Sequence, residues 1–235
     1  MVRAPDIVAN ARTLAYWQVG MGLASWRYLW RTTPVYRQQE SASDGPPPLP
    51  AETSHHNLQG PDQGVGPLFH RRYRTQICGA RTDTVNLMER IADDPNRASP
   101  IEVARFRKDR GESHGMEVGD EFVIRMPGPW DGPVRVVDRT PTSFRFVTLS
   151  GHLEAGQIEF RLEAGGEHLV FVIESWARSG DQLSYLLYDW LLVAQEMQLH
   201  MWTHFAERVA RISGGRMAGG VEVLTSRKEA PRHGG

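Results

Sequence analysis

Along the second half of the chain, short runs of apolar and polar alternation follow one another, separated by turn sequences. They cover Leu68–Ile77, Glu121–Met126, Pro133–Asp138, Ser143–Leu149, Gln157–Glu163 and Leu169–Ala177. Asp131-Gly132-Pro133, Arg139-Thr140-Pro141 and Ala164-Gly165-Gly166 punctuate them. Spacing this close predicts antiparallel meanders, because parallel strands need long crossovers. The period then changes. Leu183, Leu187, Trp190, Ala194, Met197, Met201 and Phe205 recur at three- and four-residue steps from Asp181 to Ile212, and Gly214-Gly215 stops the run. This predicts one helix of about thirty residues, on the order of 45 Å long. Its buried side holds Leu187, Trp190, Ala194, Met197 and Met201, widened by Leu191, Gln198, Trp202 and Val209. A sheet wrapped around the helix is the economical way to bury it.

Between the first strand and the meander, Thr82 and Asp83 offer helix caps for Val85, Met88 and Ile91, up to the turn Asp94-Pro95-Asn96. Ser99-Pro100-Ile101-Glu102 has the form of a capping box, after which the chain soon turns extended. The fold class is therefore α+β, with the domain over residues 67–215 and a C-terminal tail over 216–235.

Two regions precede the domain. Residues 1–36 hold a separate apolar helix from Asp6 to Trp30, ending before Thr32-Thr33-Pro34. Leu14, Trp17, Met21, Ala24 and Tyr28 line one side, and Tyr16, Val19, Leu23, Trp26 and Trp30 line nearly the opposite one. Such a helix must be covered. It can brace its own domain, mediate self-association, or lie at a membrane interface through residues 14–30, where tryptophan rings and Arg12, Arg27 and Arg31 are favoured. Residues 37–66 are rich in Ser, Gly, Gln and His around Pro46-Pro47-Pro48 and Pro50, which predicts a flexible tether.

Strand, short helices, long meander and terminal helix come in the order that resembles the START-like, or SRPBCC, superfamily, with its helix-grip fold. Val118-Gly119-Asp120-Glu121-Phe122 looks like the strand entry common there; residues 151–160 and 174–178 are similar to blocks of an uncharacterised bacterial branch. The resemblance implies a sheet gripping the long helix around an apolar pocket, and no particular reaction. It includes lipid-transfer domains and polyketide cyclases. The expectation is binding or carriage of a lipid- or polyketide-like molecule with an anionic head; the alternative is a cyclase- or hydratase-type enzyme.

Pocket candidates come from alternation. Phe69, Tyr73 and Ile77 face inward and carry Arg71 with them, a forked donor for carboxylate or phosphate, while His70, Arg72 and Arg74 face out. Ile158, Phe160 and Leu162 share the inner side. The last strand is apolar on both sides and leaves Ile173 and Trp176 undecided; Trp176 is retained as a ligand candidate. Trp130, on the loop from Pro127 to Pro133, suits a gate at the pocket mouth or a fold-back onto the core. His152 and Glu154 are the acid–base candidates of the enzyme reading, or a structural hydrogen bond at a sheet corner.

Composition narrows the remainder. A net charge of −1 exerts no pull on nucleic acid, and His70-Arg71-Arg72-Tyr73-Arg74 spreads its charge over two strand faces. The single cysteine, Cys78, reads as a small buried hydrophobe and suits a reducing cytoplasm. No metal or cofactor is called for: Glu196, His200 and His204 lie on one helix flank, and three ligands from one straight helix seldom converge. His55-His56 sits in the tether, and no nucleophile elbow or phosphate loop is present. The expected location is cytoplasmic, with the N-terminal helix as the one candidate for peripheral membrane contact.

Overall fold

The structure, a computed structural model, describes residues 33–40, 45–126, 131–180 and 188–229, and the side chains of all of these except 39, 40 and 188–197. Strands β1 (Val35–Glu40) and β2 (Val65–Cys78) come first, followed by helix α1 (Thr84–Asp93). The meander comes next as β3 (Arg105–Arg110), β4 (Glu121–Arg125), β5 (Asp131–Thr140), β6 (Ser143–Thr148), β7 (Glu154–Gly165) and β8 (His168–Ser179). Helix α2 (Tyr188–Ile212) and strand β9 (Arg216–Lys228) end the described chain. The strands form one sheet in the order β1-β9-β2-β8-β7-β6-β5-β4-β3. Every neighbouring pair is antiparallel except β1 with β9. This is the helix-grip architecture, an antiparallel sheet carrying a long helix on one face.

Short-range chemistry explains the helix starts. Asp83 caps α1 by accepting from the Asn86 N–H at 2.8 Å. The helix buries Leu87, Met88 and Ile91 and leaves Val85 exposed. Ser99-Pro100 begins only a single turn, in which Val103 and Ala104 both donate to the Pro100 carbonyl. The chain then extends into β3, where the Asn96 amide pairs with both backbone groups of Phe106.

The core lies between α2 and the inner face of the sheet, the face that carries the helix. Phe160 stacks on Phe144 at 4.8 Å and meets Trp202 and Phe205 of α2 at 5.4 and 5.3 Å. Met201 is buried as the helical period predicts. Leu187 lies outside the described residues, as do the side chains of Trp190, Ala194 and Met197.

Two boundaries differ from the sequence expectation. Residues 216–228 are not a tail: they form β9, inserted between β1 and β2. The local pattern hides this strand because Gly219 and Gly220 interrupt it. Both adopt positive φ and make a bulge opposite Thr75, whose hydroxyl donates to the Gly220 carbonyl at 2.7 Å. A Cβ on Gly220 would lie 2.3 Å from the Pro34 carbonyl oxygen, so no other residue fits there.

Nor is the 37–66 stretch a free tether. It contributes β1, and residues 45–60 run as a strap over the outer face of β5, β6 and β7. Proline-rich chain cannot bury much of itself, but it presents carbonyls without intramolecular partners. Arg135 donates to the carbonyls of Ser54 and His56 at 2.9 and 3.0 Å; Arg145 and Gln157 reach those of Pro48 and Pro47, each at 3.3 Å. Leu58 then packs with Leu49, Val137, Val147 and Leu149. Limited proteolysis with proteinase K should accordingly leave residues 45–60 intact in the folded protein. Leu58→Ala, which removes about 2–5 kcal/mol of packing, should open them to cleavage at the same enzyme dose. Equal cleavage of both proteins would show that the strap is not held.

The predicted N-terminal helix lies outside the described residues. The chain enters the described part at Thr33, whose hydroxyl donates to Glu207 of α2, and Pro34 accepts from the Val221 N–H. Among the described residues no helix is long and apolar enough to cross a membrane.

Candidate functional site

Cross-strand register sorts the candidates onto the two faces. Tyr73, Ile173 and Phe160 are aligned across β2, β8 and β7 and form one fully buried inner row. The next row, Arg71, Ser175 and Ile158, is different: Ser175 and Ile158 are only half-buried. Beyond it lie Phe69, Ala177 and Gly156, then Glu154. Small residues line this end. A Cβ on Gly156 would come within 2.4 Å of the Trp176 carbonyl oxygen, so the strands there leave no room for a side chain. The inner face is thus solid with aromatic rings at one end and lined by small, polar and half-buried groups at the other.

A polar chain crosses that end. Arg71 Nη1 donates to Gln198 Oε1 at 3.1 Å, and Gln198 Nε2 donates to Glu154 Oε2 at 2.9 Å. The amide orientation is fixed by its neighbours, since a guanidinium only donates and a carboxylate only accepts. Three separate elements, β2, α2 and β7, supply the three groups. The Arg71 guanidinium also lies 5.0 Å from the centroid of the Phe69 ring. Arg71 is 6 % exposed, and among the described residues Gln198 is its one hydrogen-bond partner.

His152 and Glu154 do not form an acid–base pair through their side chains. The Glu154 backbone N–H donates to His152 Nδ1 at 2.9 Å, while the Glu154 carboxylate is engaged by Gln198. The imidazole sits against Gly132, and Gln59 holds its loop by donating to the carbonyls of His152 and Glu154. Burial pushes the His152 pKa below the usual histidine range, against the pull of the Glu154 charge. The ring is therefore neutral at pH 7, with its proton on Nε2, which fits the corner hydrogen bond rather than proton transfer.

Trp176 belongs to the other face. It pairs with His70 and Gln157 across the outer side and stacks on the His70 ring at 5.1 Å, nearly parallel. Its assignment as a ligand-facing residue is corrected: Ile173 takes the inner position, and both faces of β8 are buried, so apolarity could not distinguish them. His70, expected to be solvent-facing, is buried on this outer face beside Glu174. Glu174 accepts from His70 at 2.8 Å, Arg72 at 3.0 Å and Arg161 at 2.6 Å. Burial alone would raise its pKa, but the hydrogen bonds from His70 and Arg161, the Arg161 charge and the Arg72 bond outweigh it and hold the pKa down at about 2.

Tyr73 and Phe160 are inner-face residues locked in the core rather than free walls. Trp130 lies outside the described residues. Gln198 and Ser175 were missed as site residues; the signal for Gln198 is an amide set among the apolar positions of the long helix. On the opposite flank of α2, His200 and His204 stack at 6.2 Å and His204 Nδ1 lies 3.4 Å from Glu207. Among the described residues no three His, Cys, Asp or Glu side chains are grouped to hold a metal.

Residues 96–218 match a family model described as a domain of unknown function, DUF1990. The match takes in Glu154 and Gln198 but not Arg71. No curated protein matches the sequence. Among solved structures, major latex-like protein 151 from Panax ginseng is 18% identical, with 56% of this chain and 97% of that chain covered and a TM-score of 0.35. Norcoclaurine synthase from Thalictrum flavum, in complex with dopamine and hydroxybenzaldehyde, is 9% identical over 72% of this chain and 96% of that one, with a TM-score of 0.45. The di-domain ARO/CYC StfQ from the steffimycin biosynthetic pathway is 11% identical over 66% of this chain and 52% of that one, with a TM-score of 0.42. The fold assignment rests on the strand order and on the helix seated across the sheet.

Proposed function

The chain belongs to the DUF1990 family, and we propose that it binds an apolar small molecule at the open end of the inner face, with the molecule's hydrogen-bond-accepting head on Arg71. One observation carries the reading. A guanidinium has five N–H donors; among the described residues Arg71 gives one hydrogen bond, to the neutral Gln198 amide, and none of its nitrogens is both fully buried and unpaired, so its remaining donors reach solvent-accessible space. Donors that a strand holds in place while water still reaches them are available to a ligand head. Phe69 and Ile158 supply apolar contact beside it, and the half-buried Ser175 lies opposite Arg71 on β8. The ring-filled row beneath, with Tyr73 and Phe160, forms the floor on which the apolar body rests.

Native mass spectrometry on protein purified from its own host tests this. The wild type should carry a copurifying small molecule, and Arg71→Met should retain at least tenfold less, because hydrogen bonds to charged groups are worth about 1.5–3 kcal/mol. Unaltered ligand retention in Arg71→Met, or a wild type without ligand, would overturn the proposal.

A further inference from the structure

Resting on the reading of Arg71 as a head-group anchor, we infer that the head it takes is an uncharged carbonyl, as in a ketone, ester or amide, and that Glu154 is the residue that sets this choice. Arg71, Gln198 and Glu154 form a closed sequence of cation, amide dipole and anion, linked by hydrogen bonds of 3.1 and 2.9 Å. The sequence is charge-neutral before any ligand arrives. A carboxylate or phosphate placed on the remaining Arg71 donors would add a negative charge to this balanced trio, and the nearby Arg227 guanidinium, 5.9 Å from the centroid of the Phe69 ring, is already paired with Glu229 at 3.0 Å. The Glu154 carboxylate is only one amide away, on the same inner face. In a partly desolvated site, like charges at that range repel more strongly than in water. A neutral carbonyl accepts from the same donors without that repulsion.

Gln198 makes the discrimination possible. Its Oε1 already sits on Arg71 as a neutral carbonyl acceptor, so the structure contains an example of the group the site accommodates. Its Nε2 holds the Glu154 carboxylate toward the site instead of letting it turn into solvent. Glu154 is thus a specificity-determining residue that acts on the ligand through Gln198 and through its charge.

The test compares two probes with the same naphthalene body, 2-acetonaphthone and 2-naphthoate, by calorimetry at pH 7.5. The wild type should bind the ketone at least tenfold more tightly. Glu154→Gln keeps an acceptor for Gln198 and removes the charge, and should shift the naphthoate-to-ketone affinity ratio about tenfold toward naphthoate. Tighter naphthoate binding by the wild type, or an unchanged ratio in Glu154→Gln, overturns the inference and leaves the ligand-carrying reading standing. Binding of neither probe, together with wild-type protein free of any copurified molecule, rejects both. A copurified ligand whose head is a carboxylate or phosphate rejects the inference alone.

Discussion

Phe160→Ala should lower the melting temperature by on the order of 10 °C. The ring is buried and meets aromatic neighbours on every side: Phe144 at 4.8 Å, Phe205 at 5.3 Å, Trp202 at 5.4 Å and Phe146 at 6.3 Å. Truncating a buried phenylalanine costs about 3–5 kcal/mol through lost transfer energy and the cavity left behind. In a domain of 150–250 residues each kcal/mol moves the midpoint by roughly 2–4 °C. Phe160 also joins β7 to α2, so a void there loosens the helix from the sheet and with it Gln198. Phe160→Leu should recover more than half of the loss. A shift below 3 °C for the alanine variant would show that the aromatic cluster is not close-packed.

Glu174→Ala should cost about 3–5 kcal/mol at pH 7, since removing one partner from a buried ionic network strands the others. Its carboxylate is 7 % exposed and is held by His70, Arg72 and Arg161. The pH dependence identifies the cause. The folded-state pKa of about 2 lies below the ordinary 4.5, so as the medium is acidified the unfolded chain takes up the proton first. The stabilisation is complete above pH 4.5 and disappears as the pH falls toward 2. The interval corresponds to on the order of 3 kcal/mol at 1.36 kcal/mol per pH unit. Urea titrations of wild type and variant should therefore differ most at neutral pH and approach each other between pH 4.5 and 2. A difference constant over that interval would mean that Glu174 acts by packing and not by charge.

The meander and the long helix were legible because their residues are patterned against one nearby face. On β7, Ile158, Phe160 and Leu162 alternate with polar residues, and the period alone places them inward. Where both faces of a strand are buried, the period loses its meaning, and this is why Trp176 was misplaced. The strap was illegible for another reason. Its stability comes from Arg135, Arg145 and Gln157, polar residues on distant strands that look like solvent-facing positions. β9 depends on pairing with β2 and β1 and carries a two-glycine bulge, so nothing local announces it. For the site, the strand pattern brought out Arg71, but its neutral partner Gln198 became visible only when helix and sheet were set together.

The parallel pairing of β1 with β9 constrains the order in which this protein can be made. Val35 is matched with Val221 and Glu40 with Ser226, so the first described strand has no neighbour until the last has been synthesised. During translation, β2 likewise presents an unpaired edge for as long as it takes to make the meander, α2 and β9. Exposed edges of this kind invite pairing with other chains, and contacts this distant in sequence close slowly. A nascent chain halted after α2 would hold the aromatic core and the Arg71–Gln198–Glu154 residues, yet its sheet would remain open along β2. The vulnerable period in the life of this protein is thus the interval between completion of α2 and arrival of residue 228, and a truncation there would turn the domain into a seed for aggregation.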